Sequence, residues 1–152
     1  MKKVNVKVFN QLKDNYSYII ESKNNSYVSI VDPAESKVHL DYLRKNNLKL
    51  ENILLTHHHE DHTAGVSNLL KAYPKVRVFS PNLKIKYTTD QISNNSKIST
   101  SINKFNVIET PGHTLDHVVF YDDENNLLFS GDTLFRLGCG RIFEGSFDQM
   151  YN

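Results

Sequence analysis

Valines at positions 4, 6 and 8 alternate with polar residues up to Phe9, the period-two signature of a half-buried strand. Residues 16–20 and 27–31 repeat that character around the polar segment 21–26, which predicts a hairpin. Ser36 follows Asp32 and Pro33 and is placed to cap a helix running to about Asn47, with Val38, Tyr42 and Leu43 on one face. Residues 51–56 form a short apolar run of the kind buried in a sheet. Beyond it, Val66, Leu69, Leu70 and Tyr73 fall at helical spacing until Pro74 closes the pattern. Strand character returns at 76–79. The polar stretch 81–103 reads as short strands or a helix with loops. Residues 105–108, 118–121 and 127–129 are strands again, with 122–126 as the turn between the last two. Ser146 and Gln149 have capping-box spacing and open a further helix near the end. Strands with interspersed helices and no regular βαβ beat predict a layered α/β sandwich in one domain, 1–152.

Composition narrows this picture. With 18 basic and 17 acidic residues the net charge is +1, which argues against a nucleic-acid partner gripped by a basic face. The lone Cys139 excludes an internal disulfide and a Cys-rich zinc site, and points to a reducing compartment. The first residues carry the charge of a signal peptide but alternate instead of forming its apolar core, and no run is long enough to span a bilayer. A cytoplasmic protein with no membrane partner is the expectation.

The chemistry lies in the histidines. Four of the seven fall between positions 57 and 62, directly after the run 51–56. In an extended segment, residues two apart face the same side, so His57 and His59 converge while His58 points away. Asp61 and His62 follow where the chain turns toward the next helix, setting further donors beside the first. Neutral imidazole and carboxylate are donors that zinc and iron accept. Two later strands end in the same way, one at Thr110-Pro111-Gly112-His113 and one at Gly131-Asp132. His113 and His117 have zinc-finger spacing, but no cysteine pair completes a finger. His117 reads as a strand-start residue standing behind the ligands, and Asp116 as exposed.

These segments, together with Asp14-Asn15-Tyr16-Ser17-Tyr18, Ile30-Val31-Asp32-Pro33, the run on from Asp132 through Thr133-Leu134-Phe135, and Gly138-Cys139-Gly140-Arg141-Ile142-Phe143-Glu144-Gly145, extend over essentially the whole chain. The chain resembles the metallo-β-lactamase superfamily, and within it looks most like glyoxalase II, the hydroxyacylglutathione hydrolases. The resemblance implies an αββα sandwich with metals at one edge of its two sheets. It implies that His57, His59 and His113 hold one divalent ion, that Asp61 and His62 hold a second, and that Asp132 bridges the two. Zinc leads, with iron or manganese also suited. The implied reaction is attack by a hydroxide between the metals on S-D-lactoylglutathione or a similar acyl-glutathione, as in methylglyoxal detoxification, with Asp61 and Asp132 as the catalytic carboxylates. Arg141 would contact the glutathione backbone. Phe143 stands where relatives often have a tyrosine, so a hydroxyl contact is expected to be missing. No side-chain nucleophile is required, and Cys139 is expected to pack within its glycine-flanked loop.

The family's remaining ligand is a histidine a few tens of residues past the bridging Asp, and none follows His117. The sandwich is therefore expected to be incomplete at its C-terminus, with the family's helical substrate domain outside 1–152. A second metal site weakened by one ligand, and slow or absent thioester turnover, follow from that expectation. The rival readings are a one-iron persulfide dioxygenase of the same fold and a non-catalytic metal-binding remnant.

Overall fold

A computed structural model describes residues 4–82 and 84–152, so the lysines at positions 2 and 3 and the residue at 83 lie outside this description. Strands β1 (Val4–Gln11) and β2 (Asn15–Ser22) pair antiparallel, as do β2 and β3 (Tyr27–Val31). Helix α1 (Lys37–Lys45) then returns the chain so that β4 (Lys49–Leu54) runs parallel to β3. Helices α2 (Glu60–Thr63) and α3 (Val66–Ala72) do the same between β4 and β5 (Arg77–Ser80), and β6 (Asp90–Gln91) closes the edge. The second sheet holds β7 (Lys97–Ser99), β8 (Lys104–Glu109), β9 (Val118–Asp122) and β10 (Leu127–Phe129), antiparallel throughout. A last helix, α4 (Phe147–Tyr151), opens with Ser146 and Gln149 in the reciprocal capping box their spacing predicts.

The two sheets face each other across a core in which Ile20, Val31 and Leu54 of the first meet Phe105, Val107 and Phe120 of the second. Phe105 and Phe120 are fully buried, each stabilising the sandwich by about 2–3 kcal/mol. On the other face of the first sheet, Ile19, Ile30 and Ile53 pack against Leu43 of α1 and Val66 and Leu69 of α3. The layered α/β expectation is met, with one difference. The chain makes two successive parallel crossovers, a βαβ beat the sequence reading denied. Among the described residues, no helix is long and apolar enough to cross a membrane.

Two details of α1 also differ from expectation. Ser36 occupies the N-cap position but its hydroxyl caps nothing, because its backbone is already helical. The buried stripe is His39 and Leu43, with Val38 only half-covered. His39 Nε2 sits 2.9 Å from Ser17 Oγ and 3.0 Å from Gln11 Nε2. Burial pushes its pKa down to about 4 from 6.5. The unfolded chain thus binds a proton near pH 6.5 that the folded chain refuses until near pH 4. Above pH 6.5 His39 adds no pH dependence. Between pH 6.5 and 4 it lowers stability, by up to about 1.4 kcal/mol per pH unit. Urea titrations with chelator present should show the midpoint falling from pH 7 to pH 4.5, and less steeply in H39Q. Equal slopes in the two proteins would contradict this.

The topology sets the functional site. Asp32 follows the end of β3, His57 follows β4, His113 follows β8 and Asp132 follows β10. Four strand ends therefore deliver polar side chains to one edge of the sandwich, outside the carboxyl ends of the parallel strands, where open sheets make room for ligands.

Candidate metal centre

Six of the seven histidines gather at that edge; His39 alone lies elsewhere, in α1. His57 Nε2 is 3.1 Å from His59 Nδ1, which is 3.0 Å from His113 Nε2. The edge of a tetrahedron with 2.0–2.1 Å zinc–nitrogen bonds is about 3.3 Å, so the three nitrogens stand close to ligand spacing.

In His57 and His113 the lone pair faces inward because the opposite nitrogen is committed. Thr56 Oγ1 gives its proton to Asp32 Oδ2 at 2.7 Å, so at 3.0 Å from His57 it accepts from Nδ1–H. His113 Nδ1 donates to the carbonyl of Arg141 at 2.6 Å. In each ring the Nε2 is left as an acceptor, the form a metal requires.

A second group lies beside the first. His62 Nδ1 donates to Asp32 Oδ2 at 3.0 Å, while its Nε2 is buried without a hydrogen bond. That unpartnered nitrogen is 3.3 Å from Asp132 Oδ1 and 3.8 Å from Asp61 Oδ2. Asp132 Oδ2 is in turn 3.3 Å from His113 Nε2. One carboxylate thus reaches both groups. The trios His57–His59–His113 and His57–His62–Asp132 each bring their donor atoms within 4.8 Å of one another, so both can hold a cation.

Electrostatics fit such a place. Burial lowers the pKa of His57, and its histidine neighbours lower it further. Burial would also lower that of His62, but the carboxylates of Asp32 and Asp132 outweigh it and raise it to about 10. Burial would raise the pKa of Asp132, yet His62 and the other imidazoles hold it below the usual carboxylate range. A cation seated here would replace the proton on His62.

The other expected site residues line the same opening. Asp61, Arg141 and Phe143 border a cavity of about 900 Å³ together with His62, His113 and Asp132. Phe143 sets its ring 5.6 Å from that of His59 and 5.3 Å from that of His113, and the Arg141 guanidinium lies 5.7 Å from the Phe143 ring. Gly140 is required here, since a Cβ at that position would run into the Asp132 carbonyl and His113. Gly131 turns at φ +48°, and a side chain there would strike Thr56 and His117.

Two expectations are corrected. Cys139 is exposed and not packed: it follows residues 134–138, all exposed, which pair on themselves through the Phe135–Gly138 bridge. Asp116 is mostly covered, its carboxylate accepting from Thr114 Oγ1 at 2.7 Å and from Asn82 Nδ2 at 3.2 Å. His117 does stand behind the site, its Nε2 accepting the Asp132 N–H at 3.1 Å.

Sequence reasoning missed two supporting residues. Asn15 donates to Asp61 Oδ2 at 2.8 Å, and Asp32 orients both Thr56 and His62. Asp32 had a usable signal: it too ends a buried strand with a polar residue in a tight turn.

Residues 12–96 and 91–152 match the sequence profile of the Metallo-beta-lactamase superfamily. The hydroxyacylglutathione hydrolase of Pseudoalteromonas translucida (strain TAC 125) is 44% identical over 150 residues, covering 98% of this chain and 58% of that protein. The chain thus spans little more than half the length of this relative. Among solved structures, the BLEG-1 B3 metallo-beta-lactamase superposes with a TM-score of 0.85 at 22% identity, covering 96% of this chain and 81% of that one. TTHA1623 in a di-iron-bound form gives a TM-score of 0.79 at 25% identity, covering 97% and 82%.

Proposed function

The chain belongs to the metallo-β-lactamase superfamily, and from that premise we propose that it is a metal-dependent thioester hydrolase acting on acyl-glutathiones, S-D-lactoylglutathione among them. The observation that carries this reading is Asp132, whose two oxygens each stand 3.3 Å from a nitrogen of a different histidine group. A divalent-metal site is the common property of the fold, and the donor set of imidazoles and carboxylates suits zinc, iron or manganese. The hydroxyacylglutathione hydrolase relative supports the substrate class, and the di-iron form of TTHA1623 supports a two-ion site.

In this reading His57, His59 and His113 hold one ion, Asp61 and His62 hold the other, and Asp132 serves both. When bound there, two divalent ions would supply a water of lowered pKa and polarise the thioester carbonyl. The chain's own groups do the rest. Asn15 keeps the Asp61 carboxylate turned to the site, and Asp32 keeps His62 in the tautomer that ligates. Arg141, on the cavity wall, meets a carboxylate of glutathione, and Phe143 offers an apolar face beside it. Phe143 brings no hydroxyl, so substrate affinity rests more heavily on the arginine. The exposed Cys139 thiol fits a reducing compartment, and the cytoplasm is the proposed location.

Two expected results test this. In the R141A variant, KM for S-D-lactoylglutathione rises about tenfold, the loss of one charge-assisted contact, while kcat stays within about threefold. An unchanged KM would remove Arg141 from the substrate site. Stepwise chelation should take one ion well before the other: with His57 committed to the first group, the second is left among the described residues with His62, the shared Asp132 and Asp61, whose Oδ2 is 3.8 Å from His62 Nε2. Simultaneous loss of two equally held ions, followed by metal analysis, would contradict the assignment.

A further inference from the structure

We propose that His58 is a positioning residue: with Asp116 and Glu144 it clamps the loop bearing Arg141 and Phe143 to the turn bearing His113. What that loop meets rests on the thioester-hydrolase reading; the clamp itself does not.

His58 lies in the ligand run but faces away from the ligands. Its Nδ1 is 3.0 and 3.1 Å from the two oxygens of Asp116, and its Nε2 is 3.3 Å from Glu144 Oε1. The other oxygen of Glu144 accepts the Leu115 N–H at 2.8 Å. One imidazole therefore ties together the 57–62 loop, the 110–117 turn and the 140–145 loop. Asp116 is a firm anchor, because Thr114 and Asn82 fix its carboxylate from other directions. Neither end of the clamp is fully solvated: the side chains of His58, Asp116 and Glu144 are 36%, 14% and 37% exposed.

What the clamp holds is the wall of the substrate cavity. The 140–145 loop meets the His113 turn through Phe143 N–H to the His113 carbonyl at 3.1 Å and Gly145 N–H to the Gly112 carbonyl at 3.0 Å. The His113 imidazole in turn donates to the Arg141 carbonyl. Those bonds fix where Phe143 leans on His59 and His113, and hence where Arg141 stands over the opening. Glu144 adds side-chain contacts to this seam, and His58 is what braces Glu144 from the metal-ligand side. Small displacements of a positioning loop cost rate or affinity out of proportion to the contact removed.

The same three groups lie within 4.8 Å of one another and have the composition of a cation site. The geometry favours the clamp. Both His58 nitrogens face carboxylates, whereas a metal takes only one nitrogen and leaves one carboxylate facing the ring's far side.

The test uses H58A, E144A and the conservative E144Q in the full, metal-loaded chain. Three things are measured: metal content, amide hydrogen exchange at Phe143 and Gly145, and affinity for glutathione and S-D-lactoylglutathione. H58A and E144A should each speed exchange at those two amides at least about fivefold and raise Kd or KM about tenfold, with kcat within about threefold and metal content unchanged. E144Q keeps an acceptor for Leu115 and gains a donor toward His58, so it should recover most of both effects. The clamp is overturned if H58A and E144A leave exchange as in the parent. It is also overturned if the parent binds a further metal equivalent that E144A and E144Q both lose. A parent chain with neither thioester turnover nor glutathione affinity would count against the hydrolase reading, while the exchange measurement would still decide the clamp.

Discussion

Replacing Asp132 by alanine should cost the chain at least one bound ion and lower thioester hydrolysis by about 10²–10³-fold. The reason is geometric. Among the described residues, Asp132 is the one carboxylate that reaches both His113 and His62, each at 3.3 Å, and its backbone N–H is held by His117 so that the side chain projects between them. Removing it leaves the His57–His59–His113 group with imidazoles alone and the second group with only Asp61 and His62. Asparagine at the same position keeps the size and one oxygen but loses the charge, so D132N should fall between D132A and the parent in metal content. Circular dichroism should show both variants folded, because Asp132 lies at the rim and takes no part in either core cluster. D132A retaining two ions and full turnover would refute the bridging role.

Replacing Asp32 by alanine should be the most destabilising single change near the site, by about 3–5 kcal/mol. Asp32 is buried and accepts the Thr56 N–H at 2.8 Å, the Thr56 hydroxyl at 2.7 Å and His62 Nδ1 at 3.0 Å. Alanine leaves a buried N–H, a hydroxyl and an imidazole without their acceptor. At this chain length a loss of that size lowers Tm by on the order of 10 °C. The tautomers of His57 and His62 both depend on the same carboxylate, so metal affinity should fall as well, about 10–100-fold. Asp32 also sits at φ +48°, a conformation Asp and Asn tolerate and alanine resists. D32N therefore separates the effects: it keeps the backbone turn and loses the charge, and should recover part of the stability but little of the metal affinity. A D32A variant with parental Tm and metal affinity would show that the network does not hold the site.

The parts legible in the sequence were those governed by local periodicity. Alternation at 4–8 and the apolar run at 51–56 locate strands. His57 and His59 do converge while His58 turns to Asp116, although residues 56–58 are bends beyond the end of β4 and not the extended segment that period two assumes. The strand-then-polar-turn arrangement at His113 and Asp132 places both at the edge where the first group lies. The capping box at Ser146 and Gln149 needs no tertiary information, and it formed.

What was not legible depends on approach between distant segments. That Asn15 reaches Asp61 is fixed by β2 lying beside α2, 46 residues away in the chain. Periodicity says that His58 leaves the ligand face but not that Asp116 and Glu144 wait on the other side. The covering of Asp116 is hidden for the same reason: a carboxylate between a leucine and a histidine carries no local sign of Asn82, Thr114 and His58 closing around it. Cys139 reads as a packed small residue among glycines, yet it stands exposed beyond the Phe135–Gly138 bridge, a pairing that carries no local signal. On α1, a histidine takes the buried place that an apolar count assigns to valine.

Glutathione release from S-D-lactoylglutathione, by chain stripped of metal and then titrated with zinc or iron, decides whether this edge of the sandwich is the metal-dependent thioesterase site proposed above. Stripped protein should release none, and release should rise with metal added. That release should be slow, because the second group offers few ligands among the described residues, and it should fall about 10²–10³-fold further in D132A. A fully metal-loaded chain that leaves the thioester intact, and instead consumes oxygen with glutathione persulfide, would contradict the thioesterase assignment.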